Sequence, residues 1–151
     1  MKIFIKNTFF QIITPFFFGI LLVSSLMILL NIFPILNQPN YGTTYGPFLE
    51  EILKYLTALF LIRFLKLKWL LVSIPLIGIG WGWVEVGNYL PVHGGISFIM
   101  LLVHASFGIF MALFINKALK KNGSIKYFYY TLALIIPALI HFGYNNLVFN
   151  L

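Results

Sequence analysis

The sequence predicts an all-α protein, a polytopic transmembrane bundle of about five helices, and three observations carry that prediction. Apolar residues fill 61% of 151 positions while charged residues fill 9%, a balance unlike that of ordinary soluble domains. The apolar residues gather in runs close to the roughly 20 residues that cross a bilayer as a helix. Basic residues recur at every second connection between those runs. Roughly five spans consume almost the whole length, so residues 1–151 are expected to form a single integral membrane domain.

The first apolar run covers about 8–33, behind the basic start Met1-Lys-Ile-Phe-Ile-Lys6. It is longer than the apolar core of a signal peptide and no small-x-small cleavage site follows, so a retained first helix is expected, with Pro15 inside it. Residues 34–47 hold Asn37, Pro39, Asn40, Gly42, Thr43, Thr44 and Gly46 and no charge, the composition of a loop. The second span is expected at 47–64, ending in Arg63, Lys66 and Lys68, and the third at 69–87. A break is expected over Asn88-Tyr-Leu-Pro-Val-His-Gly-Gly95, where His93 is read as a solvated loop residue. The fourth span is expected at 96–115, ending in Lys117, Lys120 and Lys121 beside Asn122-Gly123, and the fifth at 127–148.

Nine of the ten Lys and Arg residues then lie at the amino terminus or in the second-to-third and fourth-to-fifth connections. The positive-inside rule puts those ends in the cytoplasm. The loops around Asn40 and Gly94 and the carboxyl terminus are expected outside, in a multi-pass protein of the cell membrane. A net charge of +7 would suggest nucleic acid in a soluble protein, but basic clusters between apolar runs point to membrane lipids as partners and to no nucleic acid. The absence of cysteine excludes disulfides, thiolate nucleophiles and cysteine-ligated metal.

All three carboxylates, Glu50, Glu51 and Glu85, fall in or at the ends of apolar stretches, as do His104 and His141. Ionisable groups at membrane depth are costly and normally mark a functional site. At about 1.5 Å per residue, His104 lies roughly 12 Å below the start of its span and His141 roughly 10 Å below the end of its own. Glu50 and Glu51 enter from the same outer face and Glu85 is leaving towards it. Five groups on four segments thus converge on the outer half of the bilayer, which suggests one shared site.

Within Glu50-Glu51-Ile-Leu-Lys54, helical spacing puts Lys54 in reach of both acids. A buried ion pair accounts for one carboxylate but leaves the other needing a partner, as a general base does. In Gly78-Ile-Gly-Trp-Gly-Trp-Val-Glu85, Gly78 and Gly82 form the small-x-x-x-small pattern of closely packed membrane helices. Packing explains the glycines themselves, and its effect is to bring Glu85 close to a neighbour, with Trp81 one turn earlier on the same side and Asn88 extending the polar stripe. His104 is flanked by Ala105, Ser106 and Gly108, and alone it would be read as a packing residue. His141 and Asn145 are one turn apart, and as a pair they also fit interhelical structural contacts.

Taken in order, the Glu-Glu-x-x-Lys of 50–54, the aromatic-x-x-x-Glu of 81–85, the intramembrane His104 and the His-x-x-x-Asn of 141–145 resemble the PrsW family of intramembrane proteases, relatives of the CAAX-processing and bacteriocin-processing membrane proteases. The resemblance covers about residues 47–146. It departs from the family in having Val86 directly after Glu85, where Asn is usual, and in lacking an Arg shortly before His104. What it implies is hydrolysis of a peptide bond in a transmembrane or membrane-proximal substrate near the outer leaflet. Glu50, assisted by His104 and Glu85, would activate a water; His141 and Asn145 would donate to the oxyanion; Lys54 would hold Glu51. The family has also been regarded as metal-dependent, and Glu50, His104 and His141 would be the zinc ligands. There is no His-Glu-x-x-His motif, and the paired Glu beside Lys looks built for proton transfer, which tips the balance towards no cofactor while leaving zinc open. Two other classes compete: a non-catalytic scaffold of the same fold that binds a partner helix, and a small ion- or proton-coupled transporter. The absence of an internal repeat, and the clustering of polar groups in one half of the membrane, weigh against transport.

Overall fold

A computed structural model describes residues 7–32, 44–93 and 98–149, with side-chain environments for all of these except 29–32, 88–93 and 149. It is an all-α bundle of five helices: α1 (Thr8–Ile32), α2 (Gly46–Leu61), α3 (Leu70–His93), α4 (Ile99–Leu119) and α5 (Gly123–Phe149). A 3-10 turn, Leu67–Trp69, leads into α3. Most of the loop expected at 34–47 lies outside the described residues.

Local chemistry explains several of the boundaries. α2 opens on Gly46-Pro47 with proline in its first turn, where the missing N–H costs nothing. α4 and α5 are joined by a short turn in which Gly123 takes a φ of 61°, a left-handed conformation that glycine adopts freely. α1 continues through Pro15. Two expectations need correction. The break at Asn88–Gly95 begins later, because α3 runs on through Pro91 to His93; a proline near a helix end removes only one ladder bond. His93 therefore closes a helix, and its side chain and that of Asn88 lie outside the described ones. The second correction concerns α2, which has only 16 residues, about 24 Å at the helical rise. Among the described residues four helices are long and apolar enough to cross a membrane: those spanning Thr8–Ile28, Leu67–Gly87, Ile99–Leu119 and Gly123–Val148. α2 is the short, charged member.

α3 is the central helix, packed against α1 on one side and α4 on the other, while α5 packs against α4 and α2. Glycines set those approaches. A Cβ at Gly80 would collide with the Phe16 carbonyl of α1, and one at Gly78 with the His104 carbonyl of α4. At Gly82 it would stand 3.0 Å from the His104 ring and 3.2 Å from the Met100 carbonyl. The pattern Gly78-x-x-x-Gly82 is therefore the seam along which α4 lies on α3, and it makes room for the imidazole itself.

An apolar cluster of Ala58, Leu61, Leu65, Leu70, Ile74, Ile77, Met111, Ala112, Ile115 and Ala133 fills the half of the bundle near the basic connections. Ser73 donates to the Gln11 carbonyl at 2.9 Å in that half, tying α1 to α3. In the other half, Val23 and Leu26 of α1 pack on Trp81, with Leu49 and Leu53 of α2 beside them. The polar groups lie in this half as well, where Trp81 touches both Lys54 and Glu85.

Gly78→Ala will lower the thermal midpoint in detergent by the equivalent of about 1–3 kcal/mol, the usual cost of overpacking. Gly143→Ala, where a Cβ meets nothing within 4 Å, will leave the midpoint unchanged or raise it. Circular dichroism melts of the two variants compare them directly.

Candidate functional site

Glu50, Glu51, Lys54, His104, His141 and Asn145 are all buried, and Glu85 is largely covered, with its side chain 13% exposed. They come from the amino-terminal half of α2, the later part of α3, the first half of α4 and the second half of α5, which the antiparallel connections bring to the same level. The convergence expected from counting residues is therefore present as direct contacts.

The Lys54 ammonium sits at the centre. Its Nζ donates to Glu51 Oε1 at 2.7 Å and meets His104 Nδ1 at 2.9 Å. Of the two acids within its reach, it pairs with Glu51. It also lies 4.9 Å from the centre of the Trp81 ring and 6.0 Å from that of Phe107, positions where an aromatic face stabilises a cation. An ammonium has protons to give and no lone pair. His104 Nδ1 must therefore accept, and the ring proton stands on Nε2, which donates to Glu85 Oε2 at 2.7 Å. Trp81 Nε1 donates to the other oxygen, Glu85 Oε1, at 2.9 Å. Both oxygens of Glu85 are engaged.

The same reasoning orients the second imidazole. His141 Nδ1 lies 3.0 Å from Glu51 Oε1, and a carboxylate only accepts, so Nδ1 carries the proton. Nε2, left with the lone pair, lies 3.9 Å from Glu50 Oε2. Phe107 stacks on His141, with ring centres 4.8 Å apart and planes 28° from parallel, and the two histidines meet edge to face at 5.1 Å. The ring thus has little freedom to turn. The Phe107 contacts had no signal in the sequence, since one phenylalanine among 17 carries no mark of its neighbours.

Glu50 Oε2 and Glu51 Oε2 are buried with no hydrogen-bond partner among the described residues. Unsatisfied buried oxygens are rare and call for a reason such as a catalytic role or a bound group. The imidazole nitrogen paired with Glu50 Oε2 across a gap is His141 Nε2. The gap, on the order of 4 Å, is one that a single water oxygen at ordinary hydrogen-bond distance from both can span.

Zinc is the group to test against this geometry. Glu50, His104 and His141 each bring a donor atom within 4.8 Å of the others, and two nitrogens with one oxygen would suit zinc with an open position. His104, however, has both nitrogens committed, one to Lys54 and one to Glu85. Only two of the three donors are free, and a cation already stands beside the third. The residues as arranged do not fit the metal.

Comparison with protein families, with curated proteins and with solved structures finds no match for this chain.

Glu51→Leu will destabilise the fold by roughly 3–5 kcal/mol, because it strands a buried ammonium. The double variant Glu51→Leu/Lys54→Leu will recover part of that loss. Denaturation of both in one detergent, read as a double-mutant cycle, checks the pair.

Proposed function

We propose that this chain is an intramembrane peptidase of the PrsW type. It would hydrolyse a peptide bond in a membrane-associated protein or peptide near the outer leaflet, with a water activated by Glu50. The observation that carries this reading is the buried Glu50 Oε2, without a hydrogen-bond partner among the described residues, 3.9 Å from His141 Nε2. Two acceptors facing each other across the width of a water, at membrane depth, are what a hydrolytic site needs and what a packing core avoids.

In the proposed reaction, Glu50 Oε2 and His141 Nε2 hold the water by accepting its two hydrogens. Glu50 takes one proton as the oxygen attacks the substrate carbonyl carbon. Asn145, buried one turn beyond His141, donates to the developing oxyanion, a role that depends on preorganised donors in a water-poor site. Glu50 then returns its proton to the amide nitrogen as the C–N bond breaks. His141 differs here from the oxyanion donor that the family resemblance implies: with its proton on Nδ1, Nε2 serves as an acceptor. Glu51 holds that tautomer, and Lys54 and Glu85 hold His104.

Transport is less well supported. The apolar cluster from Ala58 to Ala133 fills the other half of the bundle, and a conducting path would need polar groups there. Two buried carboxylate oxygens without a partner among the described residues favour a catalytic role over a purely structural scaffold. The alternation of basic connections supports a cytoplasmic amino terminus and a site in the outer half of the cell membrane.

Detergent-purified protein will cleave members of a fluorogenic peptide library, and Glu50→Ala will lower the rate by at least about 100-fold. Equal rates in the two proteins would remove Glu50 from the chemistry. Because the chain has no cysteine, orientation is testable with single replacements. A membrane-impermeant maleimide will label Thr44→Cys in intact cells and will label Asn122→Cys only after lysis.

A further inference from the structure

We propose that Lys54 is the resident cation of this site: it takes the place a divalent metal would occupy, fixes the tautomer of His104 and keeps metal ions out. The inference concerns the cluster itself and stands whether or not the chain cleaves peptides.

The ammonium is enclosed by groups from three helices. Glu51 belongs to its own helix, Trp81 comes from α3, and His104 and Phe107 come from α4. Lys54 is only 2% exposed, so water contributes little to its solvation and these groups supply most of it. Each is a group that favours a cation: a carboxylate oxygen, an imidazole lone pair and two aromatic faces.

A zinc ion drawing on Glu50, His104 and His141 would need a lone pair from His104. The Nδ1 lone pair faces the ammonium at 2.9 Å, so an ion there would meet a like charge in a low-dielectric interior, where repulsion is strong. The other nitrogen carries its proton towards Glu85 at 2.7 Å, which blocks that approach too. One side chain therefore closes both routes, directly at Nδ1 and through the tautomer at Nε2.

Removing the charge should reverse this. Lys54→Met keeps an unbranched apolar stem, frees His104 Nδ1 and leaves Glu51 Oε1 to His141 alone. The cluster then holds three carboxyls and two imidazoles without a resident cation, and Glu50, His104 and His141 become a ligand set of two nitrogens and one oxygen with an open position.

The test is isothermal titration of the full-length protein in detergent with zinc alone, supported by the visible absorption of bound cobalt. Wild type should take up no stoichiometric zinc. Lys54→Met should bind one equivalent at least about 100-fold more tightly than wild type, with the cobalt spectrum of a tetrahedral site. Adding His141→Ala should abolish that binding. One equivalent of zinc in wild type, lost on His141→Ala, would overturn the proposal, as would a folded Lys54→Met protein that binds none. If Lys54→Met does not fold, the ¹⁵N shifts of His104 in wild type decide, with His104→Gln giving the assignment. A bare Nδ1 and a protonated Nε2 support the proposal, and the opposite tautomer refutes it.

Discussion

Everything in the polar half of this molecule is arranged around one buried positive charge. Placing an ammonium in a membrane-embedded bundle costs several kcal/mol unless its surroundings replace its water. Lys54 obtains that replacement from Glu51, His104 and two aromatic rings. Each of those groups is in turn oriented by another: Glu51 receives His141, and His104 reaches Glu85. The constraint therefore passes from α2 to α4 and α3 through the ammonium, and to α5 through Glu51. Such networks are weak evidence for added stability, since apolar residues often pack as well. A one-turn shift of the short helix α2 would break the contacts of Lys54 with His104 and of Glu51 with His141.

The backbone makes that network reachable. Because a side chain at Gly78 or Gly82 would run into α4, α3 and α4 lie close enough for Glu85 and His104 to meet at 2.7 Å. With His104 fixed from both sides and His141 fixed through Nδ1, the two rings have different duties. His104 is a structural relay between a cation and a carboxylate. His141 has its Nδ1 on Glu51 and its Nε2 3.9 Å from Glu50. Two chemically identical residues are separated by what their Nδ1 atoms face, an ammonium in one case and a carboxylate in the other.

Much of this could be read from the sequence because it depends on local spacing. Helical periodicity put Lys54 near both glutamates and Trp81 one turn before Glu85, and residue counting put five ionisable groups at one depth. The glycine spacing announced a close helix contact. What escaped depends on distant partners. Lys54 pairs with Glu51, whose Oε1 is shared with His141, 90 residues along the chain from Glu51. The commitment of both His104 nitrogens, which bears on zinc, arises only when three helices meet. The late end of α3 was missed because Asn88 and Pro91 are turn-forming residues that a helix near its terminus can still carry. The shortness of α2 was missed because the apolar run continues past Leu61 into a turn and a 3-10 segment.

The central claim is that the polar half of the bundle activates water against a peptide bond. Digesting a peptide mixture with the purified protein in water enriched in oxygen-18, and weighing the products, tests it at the atom concerned. The account predicts one heavy oxygen in each newly formed carboxyl group, and no labelled products from Glu50→Gln. Products formed without the label, or labelled equally by the variant, would contradict it.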